Sequence, residues 1–163
     1  MLEELNYKAN FETVLQLQNA FIDKVILSLD TDQTFDFNSV PFSFEYSFSA
    51  SLITDKGNFK ITTSQTSLGS DTFWIDTNEN NSETGKVKII NSIVKNVFLE
   101  VYKESKYPFK MVFELEKATL LLYCGEIYDT SNGKLDYKVN DEMLLVFDDI
   151  QESQKFEVLV NCG

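Results

Sequence analysis

The sequence predicts an α+β fold, with two amphipathic helices packed on a mostly antiparallel, twisted sheet or partly closed barrel of about eight strands. Two segments repeat apolar residues at helical spacing, and eight shorter ones are alternating or continuously apolar, as strands are. The chain has 163 residues and no Gly-, Pro- or Ser-rich linker, so we expect residues 1–163 to form a single domain.

Aromatic residues are the unusual part of the composition. Fourteen Phe, seven Tyr and one Trp favour wide, half-buried sheet surfaces over thin helical seams. The strand alternation predicts that five large side chains share one core: Phe44, Phe48, Phe109, Phe113 and Leu122.

The first predicted helix covers residues 11–29. Its apolar residues fall on one side when plotted at helical pitch, and its polar residues fall opposite. Asn10 is a suitable N-cap. The end of this helix stays open, because residues 24–30 also alternate as a strand would.

A three-strand meander follows the first helix. Residues 42–52 alternate aromatic or aliphatic side chains with Ser and Glu, which predicts one core face and one solvated serine face. A turn at 54–57 leads into a second strand at 59–63, so the two form a hairpin. Residues 73–75 suggest a third strand.

Residues 87–103 carry two conflicting signals. Their Val and Ile content favours a strand, whereas their spacing gathers the apolar residues into an arc of about 140° at helical pitch. The packing of an apolar helix face routinely outweighs the strand propensity of single residues. The spacing therefore predicts the second helix here.

The C-terminal part reads as five strands. Residues 109–115 alternate after Pro108, and residues 119–127 are almost continuously apolar, which is typical of a strand covered on both faces. A turn at 131–133 precedes shorter strands at 134–139, 143–147 and 156–160.

Charge limits the classes of partner. The chain has 14 basic residues, which are all Lys, and 26 acidic residues, so its net charge is −12. It contains no Arg. This balance argues against nucleic acid, whose phosphates need basic partners, and it would attract a basic protein. Two plainer explanations stay open: the charge keeps the protein in solution, and a coding bias towards A and T removes Arg.

Histidine is absent, which removes the commonest general base and metal ligand. The two cysteines are too few for a disulfide framework or a zinc site, so Cys124 is predicted to be a core residue and Cys162 an exposed thiol. Phosphate-loop and dinucleotide motifs are missing. No signal peptide or membrane-length apolar run is present, so we expect a cytoplasmic protein without a cofactor or membrane partner.

Carboxylates remain as candidate catalysts, because paired Asp or Glu residues about 5 to 10 Å apart can hydrolyse glycosides. Glu114, Glu116 and Glu126 are the candidates. Glu126 interrupts an apolar run, and burial would raise its pKa. The alternative is that Glu126 lies where the strand leaves the core and that the other two face water.

Two segments resemble cation loops only in part. The loop that begins at Asp76 has oxygen ligands at alternate positions, but Asn81 replaces the turn Gly and Val87 replaces the final Glu. The Asp30 and Asp32 pair, followed by Asp36, is a weaker match. The sequence therefore predicts no metal site.

Five acidic residues lie within twelve positions around one short strand, and they are the predicted docking surface: Asp141, Glu142, Asp148, Asp149 and Glu152. The predicted function is a non-enzymatic binding protein, inhibitor- or immunity-like by composition only, that recognises a basic protein. The alternative is a small-molecule-binding protein or carboxylate-based hydrolase with a site in an aromatic-lined sheet cavity. Glu126 facing a cavity would favour the alternative, and a filled core with an acidic surface would favour the first.

Overall fold

A computed structural model describes residues 2–77, 85–130 and 132–162, with Cys162 described by its backbone alone. Two α-helices lie in these ranges, α1 (Leu2–Leu15) and α2 (Ile150–Cys162), together with a short 3-10 helix at Phe37–Ser39. The strands of the described residues are β1 (Phe21–Leu29), β2 (Glu45–Thr54), β3 (Gly57–Gln65), β4 (Asp71–Thr77), β5 (Lys86–Val101), β6 (Pro108–Leu115), β7 (Thr119–Asp129), β8 (Leu135–Val139) and β9 (Met143–Phe147).

Six of the strands close into a ring. Their order is β1-β5-β6-β7-β9-β2, and the pairing of β1 with β2 completes the circle. β3 pairs with β2 and β4 with β3, while β8 pairs with β7. These pairings are all antiparallel. The predicted α+β class with a mostly antiparallel sheet is therefore confirmed.

An apolar cluster fills the ring, which we call the inner core. It draws side chains from all six ring strands, from β3 and β4, and from the end of α1. Its fully buried members include Val14, Leu27, Leu52, Ile61, Phe73, Met111, Phe113, Leu122 and Leu144.

A second cluster, the outer core, lies on the other face of β6, β7 and β9. Phe156 of α2 stacks on Phe42 with ring centroids 5.6 Å apart, and it meets Tyr123 edge-on at 5.1 Å. Successive residues of β7 alternate between the two cores, with Leu120 and Leu122 in the inner one and Leu121 and Tyr123 in the outer one. The expectation that residues 119–127 are covered on both faces is confirmed.

The single core predicted for five large side chains is wrong. Phe113 and Leu122 belong to the inner core, whereas Phe44 and Phe109 belong to the outer core. Phe48 is 52% exposed. Ser49 pairs with Ser28 of β1, and Ser47 pairs with the next residue, Leu29, so Phe48 is an extra residue in β2. This β-bulge turns the Phe48 side chain outward.

The predicted wet serine face is also wrong in part. Ser47, Ser49 and Ser51 are buried, with Ser47 fully covered. The Ser47 hydroxyl lies 2.9 Å from the carbonyl oxygen of Ser28 and 2.5 Å from that of Ser49, so these backbone acceptors satisfy it. The alternation from Ser43 to Ser51 thus predicted the strand correctly, but it did not predict which face of the strand is exposed to solvent.

The first predicted helix is wrong in its bounds. α1 begins at Leu2 and ends at Leu15, so Asn10 lies inside the helix instead of capping it. Residues 16–19 form turns, Asn19 adopts a φ of 70°, and β1 starts at Phe21. The strand reading of residues 24–30 was the better of the two alternatives.

The second predicted helix is a strand, the 16-residue β5. Its register shifts against β1 near Asn91, where φ is 46°, and against β6 between Val94 and Asn96. The bulge between Val94 and Asn96 adds one residue, so Val94 and Val97 both pack against the inner core three positions apart. Four other apolar residues of the predicted arc are exposed: Val87, Ile93, Phe98 and Val101. The helical spacing therefore came from inward residues combined with exposed apolar ones.

The predicted strand at 156–160 is wrong as well, since these residues lie in α2. Asp149 caps this helix, because its Oδ1 accepts a hydrogen bond from the Gln151 backbone amide at 2.8 Å. Asp149 and Glu152 are three residues apart, which is the spacing of the capping residues at a helix start. The strand-like pattern of residues 156–160 outweighed this signal in the prediction.

Candidate functional site

Four carboxylates gather near the end of β7, and we call them the acidic cluster: Asp71, Glu126, Asp141 and Glu142. Tyr128 lies two residues after Glu126, on the same face of the strand, and its hydroxyl donates to Asp141 Oδ2 at 2.7 Å. The Asp141 Oδ1 accepts the Glu142 backbone amide at 2.8 Å. Asp71 comes from β4, so the cluster exists only in the folded chain.

Crowding of like charges marks this cluster. Burial raises the pKa of Glu126, and the charges of Asp141, Glu142 and Asp71 raise it further, although the nearby Tyr128 hydroxyl partly opposes them. Burial also raises the pKa of Asp71, with Asp141 and Glu142 adding to it. Lys138 lies nearby, but its ammonium sits over the Tyr128 ring, 5.5 Å from the centroid, and 3.9 Å from Asp136.

Glu126 also lines a small surface pocket of about 160 Å³ with residues of the segment after β1. Asp30 and Asp32 contribute carboxylates, and Phe35 and Tyr46 contribute aromatic rings. The Glu126 side chain is partly covered and lines this surface pocket, which by the criterion given above favours the small-molecule alternative. The ring itself is filled by the inner core, which favours the binding protein.

Gln33 belongs to the same pocket. Its Oε1 is buried and has no hydrogen-bond partner among the described residues. A buried acceptor without a donor costs about 1 to 3 kcal/mol, so this oxygen favours a ligand that brings an N–H group.

Tyr46 connects the pocket to the sheet. Its hydroxyl accepts the Ile127 backbone amide at 3.3 Å, and its carbonyl oxygen accepts the Asp30 amide at 3.0 Å. Burial raises the pKa of Tyr46, and the negative charges of Glu126, Asp30 and Asp141 raise it further. The Tyr46 phenol is therefore neutral, and it forms one side of the pocket.

The predicted docking residues lie at the two ends of β9. Asp141 and Glu142 precede this five-residue strand, and Asp148, Asp149 and Glu152 follow it. At about 3.4 Å per residue the two groups are roughly 20 Å apart along the strand. Only the first group joins Glu126 and Asp71.

The residues of the second group are engaged in contacts with other parts of this chain. Asp148 pairs with Lys88 at 2.9 Å, and Asp149 caps α2. Glu152 accepts the Ser43 amide at 2.8 Å and pairs with Lys155 at 2.6 Å. The hydrogen bond from Lys155, followed by that from Ser43, lowers the pKa of Glu152.

The other two candidate carboxylates lie elsewhere. Glu114 and Glu116 are exposed, and Glu114 accepts a hydrogen bond from Asn96 at 3.0 Å. Glu114 stands opposite Thr119, at the other end of β7 from Glu126. Sequence reasoning missed Asp71 and Gln33, which no motif or spacing distinguishes.

The candidate calcium loop lies largely outside the described residues. Within them, no group of three or more Cys, Asp or Glu side chains is placed to hold a metal ion. Asp30 and Asp36 act instead in local turns, accepting the amides of Asp32 at 2.9 Å and Asn38 at 3.0 Å. Neither described helix has the length and apolar character needed to cross a bilayer.

Comparison with known protein families, with curated proteins and with solved structures finds no match. The chemistry of the acidic cluster and its pocket is therefore the basis for a functional proposal.

Proposed function

We propose that this chain is a non-enzymatic binding protein that recognises a basic protein, and that the acidic cluster receives a Lys or Arg side chain of that partner. The observation that carries the proposal is the crowding of Asp71, Glu126, Asp141 and Glu142. Burial raises the pKa of Asp71 and Glu126, and the charges of the neighbouring acids raise it further. A cation placed among them would remove the repulsion between these charges.

The pocket beside Glu126 suits the head group of such a side chain. Its 160 Å³ is about five times the ~30 Å³ of a liquid water molecule, yet it is smaller than the roughly 300 to 1,000 Å³ of most small-molecule sites. Asp30, Asp32 and Glu126 offer carboxylate acceptors, and Gln33 Oε1 offers a buried one. The Tyr46 and Phe35 rings add a surface on which a cation is attracted.

The rest of the predicted docking surface would act at longer range. Asp148, Asp149 and Glu152 contribute to the field of a chain whose net charge is −12. Exposed charges steer encounter within a Debye length of about 8 Å at physiological salt. We therefore assign contact to the acidic cluster and steering to the second group.

Capture from native lysate tests this proposal. The immobilised protein is compared at low and high salt with a Glu126→Gln, Glu142→Gln variant. The matched control, Glu12→Gln with Glu104→Gln, removes two exposed carboxylates elsewhere. We expect a basic protein that is retained by wild type and control, weakened by salt, and lost with the cluster variant.

Kinetics with the captured partner separate contact from steering. Asp148→Asn with Asp149→Asn keeps the helix cap, because Asn caps as well as Asp does. This variant should associate several-fold more slowly, with a shallower salt dependence and an unchanged dissociation rate. A partner that binds wild type and the cluster variant alike, or that is acidic, contradicts the proposal.

A carboxylate-based hydrolase is the second candidate, favoured by one observation. Glu126, whose pKa is raised by burial, shares a pocket with the carboxylates of Asp30 and Asp32, and glycoside hydrolysis uses such a pair of carboxylates. A panel of nitrophenyl glycosides at pH 5 tests it. Turnover that Glu126→Gln abolishes would support hydrolysis, and its absence across the panel would count against it.

A further inference from the structure

Another pocket, of about 450 Å³, lies between α1 and the end of the connection from β5 to β6, and we call it the helix pocket. One wall is a single face of α1, because its lining residues recur at spacings of three and four. The other wall is formed by Lys106, Tyr107 and Pro108. The helix pocket shares no residue with the acidic cluster or with the pocket beside Glu126.

Aromatic rings line the inner part of the helix pocket. Tyr7 and Tyr107 are each 6% exposed, and their ring centroids lie 4.8 Å apart. The Phe11 ring lies 5.8 Å from that of Tyr7 and packs against the inner core. The packing of the fold therefore already holds these three rings in place.

The polar ends of the two tyrosines have partners within the chain. Tyr7 Oη lies 2.9 Å from Ser64 Oγ. The Tyr107 hydroxyl donates to Glu3 Oε1 at 2.9 Å. Among the described residues, neither of the side chains whose buried polar atoms lack a partner lines this pocket. A ligand of the helix pocket therefore has to supply apolar surface and no buried hydrogen-bonding group.

The charges that line the helix pocket cancel. Lys8 and Lys106 contribute two positive charges, and Glu4 and Glu12 contribute two negative ones. This local balance contrasts with the net charge of −12 of the whole chain. A neutral ligand fits it, whereas the acidic cluster attracts a cation.

Two polar contacts join the walls of the helix pocket at one end. Glu4 of α1 forms an ion pair with Lys106, and Glu3 of α1 accepts the hydrogen bond from Tyr107. The pocket is therefore closed at this end and does not continue as a groove that a strand or a helix could follow. Its volume lies within the roughly 300 to 1,000 Å³ of most small-molecule sites.

Two leucines of α1 form an apolar edge to the helix pocket. Leu5 is 61% exposed and Leu15 is 43% exposed, and both line the pocket. Covering apolar surface of this kind contributes about 25 cal/mol per Å². An apolar ligand between these side chains and the aromatic rings would therefore gain contacts on both sides.

We propose that the helix pocket binds a small, neutral, apolar molecule that carries a ring system. Its rings pack against Tyr7, Phe11 and Tyr107, and its outer edge is covered by Leu5 and Leu15. This site is independent of the proposed recognition of a basic protein, because the two sites have no residue in common.

Fluorescence titration with N-phenylnaphthylamine tests the proposal, because this probe is neutral and aromatic and emits strongly only in apolar surroundings. We expect saturable binding to the wild type. Leu5→Gln with Leu15→Gln, at exposed positions, should weaken the binding roughly five-fold or more. The matched control, Leu2→Gln with Leu68→Gln, makes the same changes at exposed positions outside the pocket and should bind like the wild type. A wild type without saturable binding, or two variants with the same affinity, overturns the proposal.

A charged analogue tests the preference for a neutral ligand. Anilinonaphthalene sulfonate has the same rings and an added negative charge, so it should bind several-fold more weakly than the neutral probe. Equal or tighter binding of the sulfonate overturns the assignment of a neutral ligand.

Methyl NMR of the wild-type protein locates the bound probe without any substitution. The methyl signals of Leu5 and Leu15 should shift as the neutral probe is added, and those of Leu2 and Leu68 should stay in place. Signals of Leu5 and Leu15 that do not move at saturation overturn the proposal.

Discussion

The side-chain amide of Asn10 binds both backbone groups of Ile75. Its Nδ2 lies 2.7 Å from the Ile75 carbonyl oxygen, and its Oδ1 accepts the Ile75 amide at 2.8 Å. Asn10 lies within α1, and Ile75 lies in β4, which pairs with β3. One residue of the helix thus imitates a neighbouring strand and covers the free edge of β4 at this point.

Asn10→Ala should therefore cost more than its partial exposure suggests. It leaves an amide and a carbonyl of Ile75, a residue only 3% exposed, without partners, and we expect a loss of about 2 kcal/mol in the free energy of unfolding. Denaturant titration measures the loss. The control is Asn6→Ala, at an exposed position of the same helix, where Ala is the better helix former and no loss is expected. Equal effects of the two changes would contradict the role of Asn10.

Two phenylalanines of the sheet should respond very differently to truncation. Phe113 is fully buried in the inner core, and Phe113→Ala should destabilise the protein by roughly 3 to 5 kcal/mol. Phe48 projects from the bulge of β2, and Phe48→Ala should cost less than about 1 kcal/mol. Chemical denaturation of both variants checks the register of β2, because a large loss at Phe48 would place it in a core.

A charged network attaches α2 to the strands beneath it. Glu157 Oε2 lies 2.9 Å from the Lys110 ammonium and accepts the Tyr123 hydroxyl at 2.5 Å. The Lys110 side chain is 14% exposed, and its other acidic partner in the described part of the chain is Glu100, 3.5 Å away, so Glu157→Ala leaves a largely buried side chain with one carboxylate.

We expect Glu157→Ala to lower the free energy of unfolding by about 1 to 3 kcal/mol. Lys155→Ala, which removes the exposed pair with Glu152 on the same helix, should leave it unchanged. Thermal unfolding of the two variants supplies the comparison, and a harmless Glu157→Ala would show that the network adds nothing to the attachment of α2.

Cys124 should be inert in the native protein. It is fully buried in the inner core, and burial raises the pKa of its thiol, with the charges of Asp71 and Asp141 adding to the rise. Because the thiolate is the reactive form, maleimide labelling of a Cys162→Ser variant at pH 8 should be slow until denaturant is added. Fast labelling of the folded variant would show that this part of the ring opens.

Local signals were sufficient for the strands that have regular registers. The turn at 54–57 joins β2 to β3 as predicted, and the bounds of β6, β8 and β9 agree with the predicted ones to within one residue. Such hairpins are determined by residues close in the chain, so period and turn chemistry are enough.

Strands with β-bulges cannot be predicted from periodicity and turn residues alone. In β1 an extra residue at Asp23 places Ile22 and Val25 in the inner core three positions apart, which is helical spacing. In β5 the bulge between Val94 and Asn96 does the same for Val94 and Val97. A bulge depends on the partner strand, so a single segment does not reveal it.

The sequence pointed to some residues of the candidate site and missed others. Glu126, Asp141 and Glu142 were noticed because acids stand out against apolar strands, and the structure brings them together. Asp71 and Gln33 join them from remote segments, and Asp148, Asp149 and Glu152 lie at the other end of β9.

The sequence by itself determined the acidic, histidine-free chemistry, the α+β class and the strands of the regular hairpins, because composition and local periodicity are properties of neighbouring residues. Only the tertiary structure decided that β1 and β5 are bulged strands of a ring, that α2 replaces a strand, and that Asp71 meets Asn140. These outcomes depend on pairing and burial between residues far apart in the chain, such as the 69 positions between Asp71 and Asn140, and such contacts leave no local period to read.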